Sequence, residues 1–228
     1  MSDLSTTLSI WLLAITAILF LSARAINACR KANLTQWGSE TLNLIDGLNR
    51  IFCEKYHRME RTDIGLPKTG AAILVSNHIS GLDPLLLIAA SRRPLRFLIA
   101  KEEYERFGLN WLFKAVGCIP VDRTGRSDKA LREAMSAIQR GEVIAIFPHG
   151  KIHLPSDSPR KLKKGAISLA SREKINIYPI KIMGVSGVGE VVSAVFKRGD
   201  AKVILNECLD SSLLSVDELE LELESLYF

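Results

Sequence analysis

Hydrophobic positions follow two different periods along most of this chain. Short apolar runs of strand length are separated by segments in which apolar residues recur at helical spacing. The predicted strands are residues 71–76, 95–100, 118–121, 143–147, 175–183 and 201–205. The predicted helices between them are residues 84–91, 109–115, 128–140 and 166–172. Because strands that alternate with helices build parallel sheets, the pattern predicts an α/β fold with a mostly parallel sheet flanked by helices.

The N-terminal pattern is different. Residues 4–23 contain no charged side chain, and the first charges after them, Arg24, Arg30 and Lys31, are all basic. An uncharged, mainly apolar run of twenty residues is long enough to span a bilayer core, and basic flanks are typical of the cytoplasmic side. A signal peptide is a rival interpretation, but it normally has basic residues before the apolar run, where this chain has Asp3. A buried core helix is the other alternative.

A second helical segment follows at residues 34–56. Its apolar face carries Leu44, Leu48, Ile51 and Phe52. We therefore predict a membrane-associated helical hairpin at residues 1–57 and an α/β domain at residues 58–228. The sequence is compatible with a hairpin that spans the bilayer and with one that lies at its surface.

Charge is unevenly distributed along the chain. There are 30 Lys and Arg against 25 Asp and Glu, a net charge of +5, but residues 206–228 hold seven acids and no base. The first 205 residues therefore carry +12, which suits an anionic membrane surface, a phosphorylated substrate or nucleic acid. No nucleic-acid recognition motif accompanies this charge, so no such partner is predicted. Within the acidic tail, Ser215 and Glu218 have capping-box spacing and favour a helix, although alternating leucines also permit a strand.

The four cysteines indicate a reducing compartment. They lie far apart and form no C-x-x-C pair, which disfavours both a zinc module and a disulfide scaffold.

The clearest chemical signal follows the first strand of the α/β domain. His78 and Asp83 are five residues apart, with small or flexible residues between them. Ligands of parallel sheets gather at the carboxyl ends of the strands, and His78 lies at such an end. A histidine held by a carboxylate is suited to act as a general base on a hydroxyl group. Asp83 also precedes Pro84 at a helix start, so an ordinary helix N-cap is the alternative interpretation.

Basic residues follow two later strands. Arg123 ends the sequence GCIPVDR, and its guanidinium is suited to bind two phosphate oxygens. Residues 150–174 hold seven bases against two acids. Within them, Lys163 and Lys164 precede a predicted helix start, where backbone N–H groups favour an anion. A solvated basic surface is the alternative for each of these residues.

Together these segments resemble the glycerolipid acyltransferase family, whose best-known members are the 1-acylglycerol-3-phosphate acyltransferases. The sequence NHISGLD is similar to the family's N-H-x-x-x-x-D block, and GCIPVDR is similar to its G-x-x-x-x-x-R block. FPHG, KLKKGA and IYPI, in that order, resemble its F-P-E-G, F-K-x-G-A and V-x-P-V blocks. The resemblance extends over about residues 71–183.

This resemblance implies a membrane-bound O-acyltransferase of phospholipid biosynthesis. Its donor would be acyl-CoA or an acyl carrier protein thioester, its acceptor the lysophospholipid 1-acylglycerol-3-phosphate, and its product phosphatidate. His78 and Asp83 would be catalytic. The substrate-binding residues would be Arg123, Phe147, Pro148, His149, Gly150, Lys151, Lys163 and Lys164. No metal or other cofactor is implied, and the expected location is the cytoplasmic face of a membrane, the inner membrane in a bacterium.

One block departs from the family pattern. His149 and Ile152 stand where the family usually has Glu and Arg, although Lys151 restores one positive charge. A different acceptor, such as an amino-acid-containing lysolipid, is therefore an alternative, as is a catalytically silent lipid-binding protein. His149 is an alternative candidate for the base. A hydrolase is disfavoured, because the chain contains no G-x-S-x-G nucleophile motif.

Overall fold

A mixed sheet forms the centre of the α/β domain. The computed structural model describes residues 2–123, 128–154, 156–158 and 161–227. The strands in these residues are β1 (Ala72–Ser76), β2 (Leu95–Ala100), β3 (Ile119–Val121), β4 (Val143–Ile146), β5 (Ile177–Met183) and β6 (Lys202–Leu205). Their order is β3-β2-β4-β1-β5-β6, and every neighbouring pair is parallel except β5 and β6. The predicted fold class, an α/β fold with a mostly parallel sheet, is confirmed.

Helices cover both faces of this sheet. They are α1 (Ser2–Ala32), α2 (Glu40–Lys55), α3 (Asp83–Ala90), α4 (Lys101–Tyr104), α5 (Asn110–Ala115), α6 (Asp128–Gln139), α7 (Gly165–Glu173) and α8 (Val216–Tyr227), with a 3₁₀ helix at Ser193–Phe196. Leu74 of β1 packs in the core that includes α3, whereas Ile73 and Val75 pack in the core that includes α6, α7 and α8. The central strand β1 is thus buried on both sides, as a parallel strand requires.

The first helix is exposed along its apolar length. Residues Thr6–Ala32 are long and apolar enough to cross a membrane, and none of the most apolar stretch is buried against the rest of the protein. A core helix would be mostly buried, so the structure disfavours that interpretation of α1. Length and composition also fit a signal sequence.

The second helix is fastened to the α/β domain by Arg50, a buried side chain that pairs with Asp46 within α2 and donates to carbonyls at the end of α3. α2 is shorter than predicted, because the Ser39 hydroxyl accepts from the Leu42 N–H and caps the helix there. The Arg50 guanidinium binds Asp46 Oδ2 at 2.6 Å and donates to the Ala89 carbonyl at 2.6 Å, and both side chains are almost fully buried. Arg50 thus satisfies the C-terminal end of α3, and α2 packs on the domain that follows it.

The acidic tail is helical. The Ser215 N–H donates to Glu218 Oε2 at 2.8 Å, and the Glu218 N–H donates to the Ser215 hydroxyl at 3.3 Å. This capping box starts α8, so of the two interpretations of the tail the strand is wrong.

Candidate active site

The predicted histidine–aspartate pair meets in the turn between β1 and α3. Asp83 Oδ2 accepts three hydrogen bonds, from His78 Nδ1 at 2.9 Å, Ile79 N at 2.7 Å and Ser80 N at 2.9 Å. The Asp83 side chain is fully buried, while 18% of the His78 side chain is exposed. With Nδ1 donating to Asp83, His78 Nε2 carries the lone pair that can take a proton.

Asp83 is not an ordinary helix N-cap. It is the first residue of α3, and its carboxylate accepts from two N–H groups that precede the helix. The carboxylate thus fixes the turn that carries His78 as well as the imidazole itself. A side chain that caps a helix instead accepts from N–H groups further along the chain.

Phe147 packs against the imidazole of His78. The two rings are stacked, with centroids 4.1 Å apart and planes 16° apart, and Phe97 lies behind Phe147 at 6.0 Å. Phe147 was predicted to bind substrate. In the structure Phe147 stacks on one face of the His78 ring, a contact that restrains the plane of the imidazole.

Two residues that the sequence did not single out hold β1 in place next to His78. The Asn77 amide accepts from Ile182 N at 2.7 Å and donates to Ile182 O at 2.9 Å, so it continues the pairing with β5 where β1 leaves the sheet. The Tyr227 hydroxyl, from α8, lies 2.8 Å from Val75 O and 3.2 Å from Ile180 O. Burial raises the pKa of the Tyr227 phenol, so the hydroxyl stays a donor.

A segment after β5 braces the turn from its other side. Gly81 N donates to Glu190 O at 2.9 Å, and Gly189 N donates to Ile79 O at 2.8 Å. The backbones lie so close that a Cβ atom on Gly81 would stand 2.0 Å from Val191 O. Only glycine fits at this position.

We expect Gly81→Ala to lower both stability and any activity that depends on His78. The added methyl group overlaps a backbone carbonyl, so the turn or the segment must move, which typically costs about 1–3 kcal/mol. Thermal unfolding measures the first effect. Gly165→Ala is the matched control, because nothing lies within 4 Å of a Cβ there, and it should be neutral or slightly stabilising. Equal melting temperatures of the two variants would contradict the close packing of the segment after β5 against Gly81.

Three of the predicted binding residues converge on a second turn, the one that contains Gly150. Arg123 donates to the Gly150 carbonyl and forms an ion pair with Glu102, Nη1 to Oε1, at 3.1 Å. A Cβ on Gly150 would lie 2.6 Å from Lys163 Nζ, and Lys163 N donates to Pro148 O at 2.9 Å. Arg123, Lys163 and the exposed Lys151 next to Gly150 thus place positive charge around one glycine turn.

Two other predicted binding residues are placed differently. Lys164 Nζ forms an ion pair with Glu220 at 2.9 Å, so its ammonium is directed to α8. The His149 side chain is buried and stacks on His153, with ring centroids 4.3 Å apart. This burial disfavours His149 as the base that meets a substrate hydroxyl. Within the described residues, no group of three or more His, Cys, Asp or Glu side chains is arranged to hold a metal ion.

Comparison with known proteins identifies the family. A sequence model described as "Acyltransferase" matches residues 55–183, more than half of the chain, so the protein belongs to the acyltransferase family. This confirms the resemblance that the motifs carry.

Individual relatives point in the same direction. The chain is 32% identical over 152 residues to a probable 1-acyl-sn-glycerol-3-phosphate acyltransferase of Mycoplasma genitalium, matching 60% of this chain and 56% of that one. It is 26% identical to the 1-acyl-sn-glycerol-3-phosphate acyltransferase of Bacillus subtilis over 63% of this chain and 69% of that one. The match therefore spans little more than half of the Mycoplasma relative. The crystal structure of the 1-acyl-sn-glycerophosphate acyltransferase of Thermotoga maritima shares the fold, with a TM-score of 0.65 at 20% identity over 96% of this chain and 90% of that one.

Proposed function

We propose that this protein is a membrane-bound O-acyltransferase. It moves a fatty acyl group from a thioester of acyl carrier protein or coenzyme A to the free hydroxyl of 1-acylglycerol-3-phosphate and forms phosphatidate. The observation that carries the proposal is the bond from His78 Nδ1 to the buried Asp83 carboxylate, which leaves Nε2 as the base. The names of the relatives from Mycoplasma and Bacillus support the acceptor.

The reaction needs one base and no redox step. His78 Nε2 takes the hydroxyl proton as the acceptor oxygen attacks the thioester carbonyl carbon. The ester C–O bond forms, the C–S bond breaks, and His78 returns the proton to the leaving thiolate. Asp83 orients the ring and stabilises the imidazolium that forms between these steps.

The acceptor phosphate binds at the basic glycine turn. Arg123 offers a planar fork of donors, and Lys163 and Lys151 add charge next to it. In the structure Glu102 forms an ion pair with Arg123. A bound phosphate therefore displaces this exposed carboxylate as well as water from the guanidinium. Lys164 contributes less, because its ammonium is directed to Glu220 of α8.

The membrane holds the enzyme close to the lysolipid acceptor and the phosphatidate product. The exposed apolar helix α1 would provide the attachment. The basic residues that follow its apolar run favour the cytoplasmic face for the α/β domain. In a bacterium this would be the inner membrane. The basic body of the domain strengthens contact with an anionic surface.

A second candidate is transfer to a different lysolipid. It is favoured by His149 and Ile152, which replace the Glu and Arg usual at these positions. Purified protein supplied with one acyl donor and, in parallel, lysophosphatidate, zwitterionic lysolipids and amino-acid lysolipids separates these possibilities. If kcat/KM is highest with lysophosphatidate, the proposal is supported. If it is highest with another lysolipid, that lysolipid is the acceptor instead. Transfer to none of them would indicate a silent lipid-binding protein.

We expect Arg123→Ala to lower kcat/KM for the acceptor while the KM for the donor changes little. A charge-assisted hydrogen bond to phosphate contributes about 1.5–3 kcal/mol, or roughly 10- to 150-fold. Lys163→Ala and Lys151→Ala should act in the same direction more weakly. Lys164→Ala is the matched control and should change kcat/KM least, because its ammonium is paired with Glu220. A larger effect at Lys164 than at Lys163 would contradict this placement of the phosphate.

A further inference from the structure

The segment that braces the catalytic turn exposes four apolar side chains within ten residues. Within residues 187–196, the exposed apolar side chains are Val188 (47%), Val191 (49%), Val192 (57%) and Phe196 (71%). They lie directly beside the backbone atoms that bond to Ile79 and Gly81, at the carboxyl edge of the sheet. Clustered exposed apolar residues beside a site indicate a partner surface.

The charges next to these side chains are largely compensated. Glu190 forms an ion pair with Lys197 and accepts from the Ser193 hydroxyl at 2.6 Å. These two bonds lower the pKa of the Glu190 carboxyl, so it stays ionised and paired. Because Lys197 compensates the charge of Glu190, the segment meets little electrostatic repulsion at an anionic surface. Arg198 follows with an exposed positive charge.

The segment is also continuous with the N-terminal helices. The Tyr56 hydroxyl donates to Phe196 O at 2.7 Å, and His57 Nε2 lies 3.1 Å from Val195 O, immediately after α2. α2 in turn packs against the apolar helix α1, with Gly47 against the backbone of Cys29. The attachment proposed for α1 is therefore linked through α2 to this segment.

We propose that residues 187–197 insert into the lipid bilayer at the mouth of the active site. The valines and Phe196 enter the boundary between headgroups and acyl chains, and Arg198 contacts anionic headgroups. Bonds from Gly189 and Glu190 to the catalytic turn fix His78 at the same depth, so that a lysolipid reaches the base without leaving the membrane. This inference rests on the proposed membrane-bound acyltransferase and identifies the part of the α/β domain that contacts lipid.

A depth measurement tests the insertion without requiring turnover. The full chain, with Cys29→Ser and Cys208→Ser, carries one new cysteine, at Val192→Cys or Phe196→Cys, labelled with an environment-sensitive fluorophore. Burial raises the pKa of the Cys53 thiol to about 12 and that of Cys118 to about 11, so neither competes for the label near pH 7. The protein is placed in vesicles of phosphatidylcholine and phosphatidylglycerol that contain nitroxide-labelled acyl chains.

Leu213→Cys is the matched control. Leu213 is 80% exposed, but it follows Leu209, which pairs with Ile177 at the amino end of β5, opposite the catalytic edge. We expect strong nitroxide quenching of the label at residues 192 and 196 and little at residue 213. Equal quenching at residues 192, 196 and 213 would overturn the inference.

A second variant tests the link to substrate access. Val191→Ser with Val192→Ser should reduce kcat/KM by about tenfold or more for lysophosphatidate embedded in vesicles, since both side chains lose their favourable transfer into lipid. The same variant should retain most of its activity toward a short-chain acceptor in free solution. Equal losses with both acceptors would overturn the role of the segment in access. Quenching in a protein that forms no phosphatidate would instead refute the proposed function alone.

Discussion

We expect His78→Ala to lower the rate of acyl transfer by about 100- to 10,000-fold, the usual contribution of a general base. The substitution removes the side chain that joins the Asp83 carboxylate to the exposed edge of the turn. The measurement is the initial rate of phosphatidate formation from lysophosphatidate and an acyl thioester. The melting temperature should change little, because part of the His78 ring is already exposed.

His149→Ala provides the comparison for this result. His149 is the other histidine in the blocks that resemble the acyltransferase motifs, but its ring is buried against His153. We expect this variant to lose less turnover than His78→Ala and more stability. Activity of His78→Ala within a few-fold of wild type, or a larger loss of turnover in His149→Ala, would contradict the assignment of the base.

Asp83→Asn should have an effect of similar size, about 100- to 10,000-fold on kcat. The amide oxygen can still accept from Ile79 N and Ser80 N, so the turn is preserved. The negative charge that stabilises the His78 imidazolium is lost. In addition, Asp83 Oδ1 is buried without a hydrogen-bond partner in the described part of the chain, so an amide group placed there would leave a donor unsatisfied.

The two kinetic constants distinguish this role from a general loss of fold. If Asp83 acts through His78, kcat falls while the acceptor KM changes little, because the buried Asp83 is not among the residues proposed to bind the phosphate. Combining Asp83→Asn with His78→Ala should add little further loss, since both remove one catalytic unit. A large rise in acceptor KM with unchanged kcat would contradict the proposed role.

Local features of the site were predictable from the sequence. His78 and Asp83 are in the same short turn, so the strand before them and the helix after them were sufficient to predict their meeting. The strands of the sheet were also predictable within about two residues, because each is a short apolar run bounded by polar residues or glycine.

Contacts between distant parts of the chain were not predictable. Tyr227 reaches the carbonyl of Val75 from the last helix, 152 residues away, and no local pattern indicates that contact. The hydrogen bond from Gly81 N to Glu190 O is similarly remote. Both depend on how α8 and the segment after β5 pack on the completed sheet.

Residues that look equivalent in the sequence also have different contacts in the structure. Lys163 and Lys164 are adjacent and look equivalent in the sequence, but one lies over Gly150 and the other binds Glu220. Asp46 and Arg50 look like a polar helix surface, yet they are buried because the Arg50 guanidinium satisfies carbonyls at the end of α3. Such pairs can be distinguished only when their partners are known.

The stoichiometry of products tests the central proposal most directly. Wild-type protein in vesicles is given lysophosphatidate and an acyl thioester, and mass spectrometry measures free thiol and phosphatidate in the same sample. The proposed mechanism predicts one phosphatidate for each thiol released, with both products nearly abolished in His78→Ala. Thiol release accompanied by free fatty acid and no acylated lysolipid would show a hydrolase and contradict acyl transfer by this site.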